Sequence, residues 1–200
     1  LAGEHYQVAG ARCWPRPLQG TSAPGSPTNG IPLWIAGGGE RKTLRIAAEY
    51  ADYTNFDGTP EVFAAKSQIL RAHCADIGRD FESIVRSANY NVVIGESEAE
   101  VAERIDWMAE HYRKAGVPQG VIDAQLPGIK SGPAVGTPEQ ILERLSALQD
   151  LGMTYAITYF LESAYDLSGV ELFEAEVLPH LLDLEREEHH ERRWHLPHRR

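Results

Sequence analysis

Short apolar runs and amphipathic stretches take turns along the chain. Residues 31–36 are apolar and close on Gly37, Gly38 and Gly39, which predicts a buried strand that stops abruptly. Over residues 40–51, Leu44, Ala47, Ala48 and Ala51 recur at three- and four-residue spacing, so a helix is expected directly after the glycines. Residues 52–56 read as a second strand. Thr59 followed by Pro60 announces a second helix that ends near Gly78, with Val62, Ala65, Ile69, Ala72 and His73 expected on one side. A third strand lies within residues 84–94. Ser97 and Glu100 then have capping-box spacing for a helix that reaches Ala115 and Gly116.

Residues 116–136 hold Pro118, Pro127, Pro133 and five glycines, and read as the longest irregular stretch, of the kind that is functional or mobile. Thr137, Pro138 and Gln140 open another helix, whose stripe of Ile141, Leu142, Leu145, Leu148 and Leu151 ends at Gly152. Residues 154–160, rich in Tyr, Thr and Ile, predict a fourth strand. A last helix spans residues 170–184, interrupted by Pro179. Four strand–helix repeats predict βαβ units on a parallel sheet, with functional loops at the carboxyl ends of the strands. Half of an eightfold barrel and a doubly wound sheet share this alternation.

The chemically informative segment is residues 35–43. Three successive glycines free the backbone to present N–H groups, and the following helix points its positive end at the same space. A phosphate fits such a turn, with Arg41 and Lys42 adding charged donors and Thr43 a hydroxyl. The same residues also suit a plain tight turn with solvated basic groups. The spacing matches neither a Walker A loop nor GxGxxG. If the turn binds, replacing Gly38 with valine is expected to harm binding more than removing Arg41 and Lys42.

Charge narrows the partners. The 200 residues carry 19 basic and 29 acidic side chains, a formal charge of −10, which argues against a nucleic-acid face. No run is apolar and long enough to span a bilayer, and the two cysteines, Cys13 and Cys74, form no CxxC pair. A small-molecule substrate and a cytoplasmic setting are the expectations, as the sequence shows no charged-then-apolar stretch preceding a small-residue cleavage site.

The segments IPLWIAGGGERKTLRIAAEYADYTNF, GEHYQVAGARCWPRP, HCADIGRD, VGTPEQILERL and GMTYAITYF occur in an order that resembles the luciferase-like monooxygenase family, above all its deazaflavin-dependent oxidoreductase branch. The likeness covers nearly all of residues 1–184 and sets off residues 185–200 as a charged, His-rich extension. It implies an α/β fold of the (β/α)8 TIM-barrel type, this chain carrying about the second half, with the strand before the glycines near the fifth. It implies coenzyme F-420, or alternatively FMN, with its phosphate at Gly37, Gly38, Gly39, Arg41, Lys42 and Thr43, and hydride transfer to or from a small organic substrate. The FMN alternative uses dioxygen. A reading from another class is a non-catalytic half-barrel that needs a partner segment. The resemblance names no catalytic residue here. Four strands leave open edges, so a homo-oligomer or pairing with an N-terminal half is expected.

Further candidates each carry a plainer reading. Asn55 and Asp57 follow the second strand and suit either a ligand contact or a turn with Gly58. Tyr159 and Phe160 end the fourth strand and suit a pocket wall or the core. His73 and His111 read as packing and helix-dipole partners, Cys13 and Cys74 as inert apolar groups. Glu96, Glu98, Glu100 and Glu103 read as dipole compensation at a helix start rather than a metal site. His189, His190 and Trp194 lie in the solvated extension, where Trp194 suits an anchor to a partner.

Overall fold

A computed structural model describes residues 31–56 and 58–182, together with Ala9 and Trp14. Asp57, Cys13 and the extension from residue 183 onward lie outside the described residues. The elements follow the order β1 (Trp34–Ala36), α1 (Thr43–Tyr50), β2 (Tyr53–Asn55), α2 (Pro60–Asp76), β3 (Val85–Ile94), α3 (Glu98–Lys114), α4 (Gln119–Lys130), β4 (Val135–Gly136), α5 (Pro138–Asp150), β5 (Tyr155–Phe160), α6 (Ser168–Glu176) and α7 (Leu178–Leu182). All strand pairs are parallel. β1 pairs with β2, β2 with β3, and β3 with β5, while the two-residue β4 pairs with the last residues of β3.

The strands β1, β2, β3 and β5 thus neighbour one another in chain order with helices between them. Sequential parallel strands linked by helices are the construction of a (β/α) barrel wall. Register fixes which side chains share a face. Ala36 aligns with Asn55, Asn55 with Ser87, Ser87 with Tyr155, and Asn91 with Tyr159. On β3 the even positions Ala88, Tyr90, Val92 and Ile94 enter the main core with Leu44, Ala47, Phe63, Leu70, Ile141 and Leu148 from the helices. The odd positions Ser87, Asn89 and Asn91 face the other way, beside the exposed Tyr155 and Tyr159. Trp34 and Tyr53 stack on that same face at 4.7 Å between rings, with the Tyr155 ring edge-on to Trp34 at 5.1 Å.

Several expectations need correction. The strand in residues 31–36 is short and not buried: it forms an edge, and Trp34 is 41% exposed. The first helix starts at Thr43 rather than Glu40, because residues 40–42 are spent turning the chain. On α2 the buried stripe is Phe63, Ser67, Leu70 and Cys74, about one residue round from the predicted side, and Val62 is exposed. This helix has two apolar stripes. The one with the larger side chains wins, since a fully buried Phe or Leu contributes about 1.5–3 kcal/mol against little for Ala. The Phe63 ring lies 5.1 Å from that of Phe56.

The largest correction concerns residues 116–136, which contain a helix, α4. Its apolar residues Ile122, Leu126 and Ile129 keep helical spacing; Ile122 is buried, and Leu126 and Ile129 pack against Val93, Val101, Ile105 and Val135. Pro118 occupies the N-cap, and Pro127 falls only three residues before the end, where one lost hydrogen bond is tolerated. The last predicted helix is two, α6 and α7, broken at Val177 just before Pro179.

Arg79 ends α1 from outside. Its guanidinium donates to the carbonyls of Ala48 at 2.9 Å and Ala51 at 2.5 Å, groups that a helix end otherwise leaves unpaired. Arg79→Met is expected to lower stability by about 1–3 kcal/mol, the scale of charged hydrogen bonds, read as a lower urea midpoint with unchanged slope.

Candidate active site

The carboxyl ends of β1 and β2 meet at the glycine turn, level with Ser87 near the start of β3. Gly37 has φ +114°, a conformation that side chains oppose, and its N–H donates to the Asn55 carbonyl at 2.7 Å. That bond extends the β1–β2 ladder by one residue and aims the rest of the turn outward. Among the described residues, no acceptor meets the N–H of Gly38, Gly39 or Glu40. As far as the described residues go, three consecutive N–H groups before α1 therefore stand available, with no acidic residue in the helix's first turn.

The predicted basic groups sit beside this turn. Arg41 and Lys42 are exposed, and Lys42 occupies the N-cap of α1 without a side-chain cap bond. Thr43 begins the helix, its hydroxyl packed so close to Gly39 that any Cβ there would meet it at 2.8 Å. Gly38 is different. A Cβ there would find ordinary contacts, the nearest being Lys66 Cε at 3.4 Å. Of Gly37 and Gly38, Gly37 is therefore the more sensitive to substitution.

Two groups that sequence reasoning missed join the turn from α2. The Lys66 stem lies along Gly38, and its Nζ pairs with the Glu40 carboxylate at 2.7 Å. His73 Nε2 lies 2.8 Å from the Glu40 carbonyl; because a carbonyl only accepts, that nitrogen carries the proton. His73 is therefore more than a packing group: it ties α2 to the turn. No spacing rule links residues 33 positions apart, although knowing that Ser67 and Leu70 are buried puts Lys66 on the flank facing the glycines.

Asn55 is buried, and its Nδ2 donates to Ser87 Oγ at 3.0 Å and to Asn89 Oδ1 at 2.9 Å. Tyr159 is exposed on the same face, while Phe160 turns to the helices and meets Phe173 at 5.5 Å. The two aromatics thus divide between an open face and the core, as strand alternation requires. A cleft of about 570 Å³ opens between the middle of β3 and α4, walled in part by Asn89, Asn91, Tyr112, Gln125 and Gly128.

The remaining candidates have structural duties. Cys74 is buried in the core, and burial pushes its thiol pKa up. Glu100 accepts from the Glu96 N–H and holds Arg104 at 2.8 Å, which with the Glu96 N–H bond keeps its carboxyl below the usual range. His111 stacks on Trp107 at 5.1 Å.

The luciferase-like monooxygenase family model matches residues 1–155. The chain belongs to this family. A pyrimidine monooxygenase, RutA, of Stutzerimonas stutzeri is 32% identical over 124 residues, covering 60% of this chain and 29% of that protein. Among solved structures, long-chain alkane monooxygenase LadA matches with a TM-score of 0.63 at 18% identity, over 92% of this chain and 46% of its own. The coenzyme F-420-dependent tetrahydromethanopterin reductase of Methanopyrus kandleri matches with a TM-score of 0.55 at 17% identity, over 75% of this chain and 51% of its own. At such identities the structural likeness speaks to the fold, which is the α/β fold of luciferase-like TIM-barrel proteins. The chain spans less than a third of the curated relative and about half of these structures. Family members are oxidoreductases or monooxygenases, with F-420-dependent and flavin-dependent proteins both among the neighbours. None of the described helices is long and apolar enough to cross a membrane.

Proposed function

We propose that this chain is the coenzyme-phosphate part, and the C-terminal half, of a luciferase-like oxidoreductase that moves a hydride between a deazaflavin coenzyme, F-420, and a small organic substrate. The observation that carries the reading is the row of N–H groups at Gly38, Gly39 and Glu40 that no described residue claims, beside exposed Arg41 and Lys42. Backbone donors that are fixed before binding need no reorganisation, and the head of α1 adds a partial positive charge. Gly37 sets the direction of the turn through Asn55, Arg41 and Lys42 add charge-assisted donors, and Thr43 adds a hydroxyl. Asn55 and Tyr159 lie on the sheet face where a ring or substrate would rest. When bound, the coenzyme supplies the hydride chemistry, and the protein supplies anchoring, orientation and shielding from water.

The open face supports a partner as well. Trp34, Tyr155 and Tyr159 are each 41–51% exposed on it, and β1 is an edge among the described strands. The other half of the barrel, or a second copy, is the natural cover for such a face. A cytoplasmic setting completes the proposal.

The second reading is FMN with dioxygen as co-substrate. It is favoured by the sequence relative, whose name is pyrimidine monooxygenase. Titrating the protein with F-420 and with FMN separates the two: tighter F-420 binding supports the first, tighter FMN binding the second. In either case, removing both Arg41 and Lys42 side chains (Arg41→Ala with Lys42→Ala) is expected to weaken coenzyme binding by about 1–3 kcal/mol. Unchanged affinity shows the pair to be merely solvated.

A further inference from the structure

The hydrogen bonds between β2 and β3 have only one consistent set of directions. The Thr54 carbonyl can only accept, so the Ser87 hydroxyl donates to it at 2.9 Å. The Ser87 oxygen must then accept from Asn55, which places the Asn55 amide nitrogen toward β3 at 3.0 Å. The same nitrogen faces Asn89 at 2.9 Å, so the atom Asn89 turns toward it must be its oxygen. The Asn89 amide nitrogen is left pointing away, without a partner among the described residues, where Asn89 walls the 570 Å³ cleft. Three residues on two strands thus fix one amide as an outward donor.

Asn91 lies two residues further along the same face, about 6.6 Å on at strand rise, and its side chain has no hydrogen-bond partner among the described residues. Gly128 of α4 adds no side chain, and space beside it is open. A flat ring with carbonyl acceptors on either side of an N–H suits two amides so spaced, and the volume is of the size that holds small ligands.

We propose that Asn89 reads a ring carbonyl of a pyrimidinedione bound in the cleft between β3 and α4, with Asn55 and Ser87 as the positioning residues that hold its amide. This rests on the proposed function only for the source of the ring, which is either the tricyclic part of the coenzyme or a substrate of the same class.

The test uses the 15N-labelled protein, with side-chain and backbone amide signals followed as uracil, lumichrome or FMN is added. Asn89 side-chain shifts with lumichrome and FMN assign the ring to the coenzyme; shifts with uracil alone assign it to substrate. Shifts at the glycine turn with FMN but none at Asn89 with any probe overturn this inference and leave the coenzyme reading standing. Asn89 shifts with uracil while FMN leaves the turn untouched do the reverse. Silence everywhere overturns both.

Asn89→Asp keeps the oxygen that Asn55 grips and exchanges only the outward donor for an acceptor. It is expected to weaken the binding of the responding pyrimidinedione about tenfold or more. It is also expected to shift preference from uracil toward cytosine, which carries an amino group in place of one carbonyl. Retained affinity with retained preference refutes the assignment. Ser87→Ala, which frees the Asn55 amide to turn, should reduce the uracil-over-cytosine ratio while Asn89 stays intact; an unchanged ratio shows that this chain of bonds does not hold Asn89.

Discussion

Replacing Gly152 with alanine is expected to destabilise the protein by about 2–4 kcal/mol, measured as a fall in the chemical-denaturation midpoint. Gly152 follows α5 with φ +89°, where a side chain alone costs about 1 kcal/mol. The larger effect comes from its neighbour. A Cβ at this position would overlap the guanidinium of Arg86, a buried group of β3. Arg86 donates to the Leu151 carbonyl at 3.2 Å, pairs with Glu82 at 3.0 Å and lies 4.3 Å over the Phe81 ring. Burial already lowers its pKa, a sign that its charge depends on these partners. Moving it breaks bonds that the buried guanidinium cannot replace with water. Gly78→Ala is the control. Its φ is +68°, but nothing lies within 4 Å of the added carbon, so only about 1 kcal/mol should be lost.

Gly37→Val should have the greatest effect on coenzyme binding, lowering affinity by about a hundredfold, on the scale of 1–3 kcal/mol of backbone strain. Valine opposes φ +114°, so the turn must rotate, and the 2.7 Å bond from the Gly37 N–H to the Asn55 carbonyl breaks. The N–H groups of the next residues then lose their common direction. Helix α1, held by Leu44, Ala47 and Ala48 in the core, should persist, so circular dichroism should change little. Gly38→Val should bind better than Gly37→Val because its added atoms meet only the flexible Lys66 stem and Phe56. Equal losses at the two positions would place the strain elsewhere.

Much of this architecture is legible from local spacing. The strand–helix alternation, the Thr59–Pro60 start of α2, the Ser97 cap of α3 and the stripe of α5 all rest on contacts within a few residues, and the structure repeats them. Errors arise where two local signals compete. In residues 116–136 the prolines and glycines masked the Ile122, Leu126 and Ile129 periodicity of α4. On α2, alanines made two faces look alike until Phe56 offered a partner for Phe63. The 31–36 strand looked buried because apolar residues cannot tell whether a neighbouring strand exists to cover them.

The candidate site shows the same limit. Gly37, Gly38, Gly39, Arg41, Lys42 and Thr43 are contiguous, so the turn could be read directly. Lys66, His73 and the Asn55–Ser87–Asn89 chain depend on parallel register and on helix rotation, which no single segment encodes. The polar residues Ser87, Asn89 and Asn91, alternating with Ala88, Tyr90 and Val92 on β3, are a sequence signal of a face unlike an ordinary core, and the strand assignment alone did not use it.

The central claim is that the glycine turn holds a phosphate. It is tested most directly by comparing the affinities of FMN and riboflavin, which share the ring system and differ by the phosphate. The account predicts that FMN binds about tenfold or more tightly than riboflavin, and that Arg41→Ala with Lys42→Ala removes most of this difference. Equal affinity for the two ligands in the unaltered protein would contradict it.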